Sequence, residues 1–165
     1  MGIRVNSSIN KKTHLLLINT AINHYLGFAL WEIKGNSLIL RACAWRKALY
    51  SQSEKFLQTL DAFLIKNGVG FANVAAIVAV NGPGSFSAVR LGVVGANTLG
   101  LLHDIPVYPY KLTVEEIPDL TAWRRFLAQF EEKWTLPDDF RKSVFAPVLP
   151  LYGGDAPVTV KKKKS

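Results

Sequence analysis

Three histidines, one cysteine and twelve carboxylates are the side chains here that could carry acid–base, nucleophilic or metal chemistry. His14, His24 and His103 are scattered without ligand spacing, so no metal site is expected. Cys43 is the only cysteine, which excludes an internal disulfide and a cysteine-based zinc cluster. Its place in the apolar run from Leu38 to Trp45 predicts a buried structural thiol rather than a nucleophile. Asp104, Asp138 and Asp139 fall on loop segments. No nucleophile–base constellation emerges, so no catalytic residue and no cofactor are assigned.

What remains is a backbone motif, Asn81-Gly-Pro-Gly-Ser-Phe-Ser-Ala-Val-Arg-Leu-Gly92. It follows the apolar run Val74 to Val80 and opens a helical segment, which predicts a strand–tight turn–helix junction. Gly82, Pro83 and Gly84 form the turn: proline fixes one φ, and the glycines permit positive φ or close backbone approach. Ser85 is placed to cap the helix. Glycines ahead of a helix present N–H groups to an anion, yet the spacing is neither a P-loop nor Gly-x-Gly-x-x-Gly. Arg90 follows in the opening turns, suited to a carboxylate, a phosphate or an ordinary ion pair.

The helix then repeats a small residue every four positions, at Ala88, Gly92, Ala96 and Gly100. Its three interior glycines (Gly92, Gly95, Gly100) cost about 1 kcal/mol each relative to alanine, which calls for a compensating close contact. Two partners fit: the chain's own sheet, or a helix of a second protein. In the second case Leu91, Val94, Thr98, Leu101 and Leu102 serve the sheet-facing side. Spacing alone leaves both open.

The positioning elements follow from periodicity. His14–Thr20 reads as a central strand buried on both faces, Tyr25–Ile33 and Leu38–Trp45 as a hairpin closed by Lys34-Gly-Asn-Ser37. Ser51–Asn67 is an amphipathic helix with a Ser51/Glu54 capping box, a stripe of Phe56, Leu57, Leu60, Phe63 and Leu64, and a terminal Asn67-Gly68. Strand Val74–Val80, helix Phe86–Leu102 and a proline-interrupted edge strand Ile105–Tyr110 complete the order β-β-β-α-β-α-β. That order predicts an α/β fold with a ribonuclease-H-like mixed sheet, the unit of actin-like ATPases. A separate helix, Thr121–Trp134, carries Trp123, Phe126, Leu127, Phe130 and Trp134 on one core-facing stripe. The organisation expected is a loose leader at 1–12, the main domain at 13–112, a shortened C-terminal helical and extended segment at 113–157 that packs back on it, and a basic tail at 158–165.

Composition narrows the function classes. The 165 residues suit one domain, and 49% apolar content supports a substantial core. Net charge is +8, but Lys161–Lys164 supply four of these, leaving +4 for the body. Weak, salt-sensitive attraction to RNA is compatible with that charge, but no RNA-recognition motif or basic–aromatic platform is present. No run has the length of a membrane span and no signal-peptide pattern opens the chain, so a cytoplasmic protein is expected.

The block at 81–92 resembles the Gly-Pro-Gly-Ser-Phe-Thr-Gly-Leu-Arg-Ile-Gly block of the TsaB family. The resemblance extends to Leu15–Trp31, where Asn19-Thr20 stands in place of the usual Asp-Thr. It includes Ser51–Lys66, where Gln52 replaces a usual histidine, and Gly100–Val107. Pro150-Leu-Tyr152 is similar to a Pro-x-Tyr ending, with Gly154 where an arginine is usual. It covers 14–112 well and thins beyond.

The resemblance implies a non-catalytic subunit of the complex that forms threonylcarbamoyladenosine beside the tRNA anticodon. Such a subunit pairs with a TsaD-like catalytic subunit through its N-terminal helices, works with a TsaE-like ATPase, and touches tRNA only indirectly; a homodimer of the isolated chain is the further option. On this view Ser85, Val89, Arg90, Gly92, Val93, Ala96 and Gly100, with Phe56 and Leu60, form the partner-binding face. A bulky residue at Gly92 or Ala96 is then expected to abolish pairing and leave the monomer folded. Asn19, which cannot neutralise a magnesium ion's charge as a carboxylate does, and Gln52 both point away from nucleotide chemistry. The alternative is an active actin-like ATPase or a peptidase.

Overall fold

The computed structural model describes residues 11–113 and 117–152. A five-stranded sheet in the order β3-β2-β1-β4-β5 is built from β1 (His14–Asn19), β2 (Tyr25–Lys34), β3 (Ser37–Lys47), β4 (Val74–Gly82) and β5 (Val107–Lys111). β1–β2 and β2–β3 are antiparallel; β1–β4 and β4–β5 are parallel. With α1 (Gln52–Lys66) and α2 (Phe86–His103) linking the later strands, this is the ribonuclease-H-like sheet expected. α3 (Leu120–Lys133) lies on the opposite face.

Each strand's residue types account for its place. β1 and β4 are buried along almost their whole length, as strands covered by helices on both faces require. β2 and β3 are joined by Gly35-Asn36, with Gly35 at φ +61°. β5 lies at one edge, where Pro109 withholds no ladder donor that a neighbour needs. β3 forms the other edge. Arg41 is its extra, bulged residue, since Leu30 pairs with Ala42 and Trp31 with Leu40. That arginine reaches back to Glu32, its Nε donating at 2.7 Å.

Two cores sandwich the sheet. On one side Phe28 of β2 meets Phe56 and Phe63 of α1, with ring centroids 6.1 and 5.9 Å apart. On the other, Trp123 and Phe130 of α3 pack on Trp45 and Trp31. Gly27 leaves the space that the Trp45 ring fills; a Cβ there would stand 2.7 Å from it. Of the α3 stripe, Trp123, Phe126, Leu127 and Phe130 are buried as expected, while Trp134 lies just past the helix and is half-buried.

Four local expectations fail. Ser51 does not form a capping box: at ψ 24° it lies outside the extended conformation that aims an N-cap hydroxyl at the first turn. Ser85 makes no side-chain cap bond either; its amide instead donates to the Ala21 carbonyl at 3.3 Å. Leu57, assigned to the buried stripe of α1, is 60% exposed because it faces along α2 rather than down onto the sheet. Cys43 is half-buried rather than buried. The expected leader falls almost wholly, and the lysine tail and Gly154 entirely, outside the described residues.

Candidate docking face and the turn beneath it

The 81–92 motif sits where β1 and β4 end side by side. This is where the connections diverge, the usual ligand crevice of an open α/β sheet. Here the chain closes it. Gly82 takes φ +119°, and Gly84 lies so close to Ala21 that a Cβ would be driven into its carbonyl. Gly82 also lies against the Leu151 carbonyl, so it does both of the jobs expected and Gly84 does the second. At the end of β1, Asn19 is fully buried and its Oδ1 accepts from the Ala21 amide at 3.0 Å. It caps the turn as a neutral group. Gln52 adds a clasp the sequence did not suggest: its Nε2 faces the carbonyls of Tyr25 at 2.6 Å, Ile22 at 3.3 Å and Thr20 at 3.4 Å.

The small-residue stripe of α2 faces inward. Ala88, Gly92, Ala96 and Gly100 are all buried, as are Val89 and Val93. The Thr20 hydroxyl donates to the Ala88 carbonyl at 2.5 Å and fills the space where Gly92 lacks a side chain. Gly100 lies against Val107, Ile105 and Phe145 in the same way. This corrects the docking assignment. Val89, Gly92, Val93, Ala96 and Gly100 meet the chain's own sheet, so their glycine cost is offset within the monomer. Phe56 and Leu60 of α1 are likewise buried, at 2% and 1% exposure. Ser85 is half-buried, and Arg90 alone of that group is exposed.

The large residues that were to face the sheet face outward. Val94, Leu101 and Leu102 are 53%, 67% and 71% exposed, Thr98 is exposed and Leu91 is half-buried; Phe86, at the start of the helix, is 52% exposed beside them. With Leu57 of α1, Phe86, Val94 and Leu102 border an apolar groove of about 550 Å³ running between α1 and α2. Gly95 sets its depth: the Phe56 ring occupies the place of a Gly95 side chain and forms the floor. Arg90 stands in the groove wall, and among the described residues it makes no ion pair. The groove is almost purely apolar, suited to another protein's side chains and to no charged small molecule beyond what Arg90 can hold. Among the described residues no three His, Cys, Asp or Glu side chains converge on a metal position.

Comparison with known proteins fits this geometry. Residues 46–111, which include α1, β4, α2 and β5, match the model of the family described as TsaD: tRNA N6-adenosine threonylcarbamoyltransferase. YeaZ from Pseudomonas aeruginosa has a similar fold, at TM-score 0.51 and 21% identity, over 60% of this chain and 44% of that one. An uncharacterized Pseudomonas aeruginosa protein with similarity to peptidase YEAZ aligns at TM-score 0.52 and 21% identity, over 60% of this chain and 43% of that one. No curated protein matches. The chain shares the fold of YeaZ and is similar over residues 46–111 to the TsaD family model, and it spans less than half the length of the two structures it resembles. No helix among the described residues is long and apolar enough to cross a membrane.

Proposed function

We propose that this chain is a non-catalytic, TsaB-like subunit that docks on a TsaD-like threonylcarbamoyltransferase. Its role is to support modification of the adenosine beside the tRNA anticodon, alongside a TsaE-like ATPase. The observation that carries the proposal is the exposed apolar groove between α1 and α2, within the region matched by the TsaD family model. Exposed apolar surface gathered into one groove and rimmed by a single cation is the mark of a protein-interaction site. Leu57, Phe86, Val94 and Leu102 supply the desolvated centre, and Arg90 orients the partner through a carboxylate. Asn19 in place of a carboxylate, and the Ser85 amide bonded across the crevice to Ala21, support a role without nucleotide chemistry.

Co-purification of the full chain with a TsaD-like subunit tests the proposal. Val94→Glu is expected to abolish recovery of the complex while the variant stays folded by circular dichroism. Normal recovery with this variant sinks the assignment.

A further inference from the structure

A second surface, at the end of β3, shares no residue with the groove. Four aromatic rings form a continuous stack beneath it. Tyr25 lies on Trp45, Trp45 on Trp123 and Trp123 on Phe126, with centroids 5.0, 4.9 and 5.1 Å apart and interplanar angles of 8°, 23° and 14°. Trp123 and Phe126 are buried, whereas Tyr25 at the outer end is half-buried. Among the described residues Trp45 is its only aromatic partner. Just past the strand, Tyr50 is 90% exposed and meets the ring of His24 edge-on at 5.0 Å.

The charges beside these rings are cations. Lys47 is the cross-strand partner of Tyr25, on the same face of the sheet. Arg46 precedes it and turns to the opposite face, towards α1. Arg124 belongs to the flank of α3 nearest β3. Ala128 and Glu131 on that flank border one cavity with Gly35–Leu38, and Arg124 stands one turn before Ala128 on the same side of the helix. Arg46, Lys47 and Arg124 are all exposed, and among the described residues none forms an ion pair. The nearby acids are occupied elsewhere: Glu54 lies in the first turn of α1, where the helix dipole favours it. Asp119 Oδ1 accepts from the Ala122 amide of its own helix. Unpaired cations beside open ring faces suit a ligand with a repeating anionic backbone and flat apolar groups.

We infer that the end of β3 is a surface for single-stranded nucleic acid. Bases stack on Tyr25 and Tyr50, and Arg46, Lys47 and Arg124 hold the phosphates. The contact is direct, where the family resemblance implies only an indirect one. No basic–aromatic run marks it in the sequence, because its members come from β2, β3, the turn after β3 and α3. Stacking on the tyrosines tolerates any base, since every base has a flat face, and the phosphate contacts weaken with salt because they release counterions. The inference stands apart from the docking proposal, since neither surface borrows a residue from the other.

The probes are a fluorescein-labelled oligouridylate about 12 nucleotides long and its deoxythymidylate counterpart, titrated with the full chain by anisotropy. The tighter of the two tells RNA from DNA. Lys161→Ser, Lys162→Ser, Lys163→Ser and Lys164→Ser are present in every protein compared, which removes the tail's own attraction for phosphate. Tyr50→Ala is expected to weaken binding about five-fold or more, the low end for one base stacked on a ring. Tyr25→Leu, which keeps an apolar cover on Trp45, is expected to do the same. Lys47→Ala combined with Arg124→Ala should flatten the slope of log affinity against log salt by about 1.4, two phosphates at about 0.7 each. Thermal unfolding of Tyr50→Ala and of the double variant should match the parent, since these side chains are exposed. Inorganic polyphosphate, which has the charge without the bases, should bind Tyr50→Ala as well as it binds the parent. No binding by the parent, an unchanged salt slope in the double variant, or oligonucleotide binding that both tyrosine variants leave intact would each overturn the surface. Val94→Glu, which tests the groove, should leave oligonucleotide affinity unchanged, so the two proposals fail separately.

Discussion

The Thr20 hydroxyl occupies the space that Gly92 leaves open and donates to the Ala88 carbonyl at 2.5 Å. This contact joins the end of β1 to the second turn of α2, and it explains why the helix tolerates glycine there. Gly92→Ala removes that space, because the new methyl meets Thr20 Oγ1. Overpacking of this kind costs about 1–3 kcal/mol, partly offset by the better helix propensity of alanine. Urea unfolding of Gly92→Ala, Thr20→Ala and the double variant is expected to show strong non-additivity, with the double variant regaining part of the loss. Additive behaviour would separate the two residues. A bulky residue at Gly92 is thus expected to unfold the monomer, the reverse of what a docking seam predicts.

Leu102→Asp probes the outward face of the same helix. The side chain is 71% exposed, so stability should change by no more than about 0.5 kcal/mol. Affinity for the TsaD-like subunit, measured by calorimetry, should fall by about ten-fold or more, as when a charge enters a desolvated interface centre. Equal affinity would place the interface elsewhere.

Gln52 holds the β1–β2 turn through the carbonyls of Tyr25, Ile22 and Thr20. Gln52→Ala leaves these acceptors without their donor at a half-buried site, a loss of about 1–3 kcal/mol. The denaturant midpoint should fall with an unchanged slope. Gln52→Leu, which keeps the volume, should not restore it.

Burial holds the His14 imidazole below its ordinary value near 6.5, against the opposing pull of Glu32 and a hydrogen bond with the Asn73 backbone; Arg41 adds to the lowering. A depressed folded pKa means that the unfolded chain binds more protons below about pH 6.5. The stabilisation is complete above that pH and is lost as pH falls through the folded value. Urea midpoints should decline from pH 7 toward pH 5 in the wild type and decline less in His14→Val. Matching profiles would remove His14 as the source.

Much of this architecture was legible in the residues themselves. Alternation and turn chemistry placed the hairpin around Gly35-Asn36, the apolar run at Leu15–Ile18 marked the doubly covered centre, and the aromatic stripe of α3 marked its inner face. Such signals are local, because each element's own periodicity says which side is apolar. The Gly82–Gly84 turn was legible for the same reason, since φ +119° at Gly82 needs a residue without a Cβ.

The orientation of α2 was not local. Both of its sides are apolar, one small and one large, and either can be buried. The tertiary structure decided between them, because Thr20, Val107 and the Phe56 ring come within reach only once the sheet and α1 are assembled, and they fit only where side chains are missing. The hydrogen bond from Asn97 to the Val148 carbonyl is equally a product of assembly, since the two residues are 51 positions apart in the chain. Sequence spacing fixed which residues share a side of the helix; close packing against distant residues fixed which side was left for a partner.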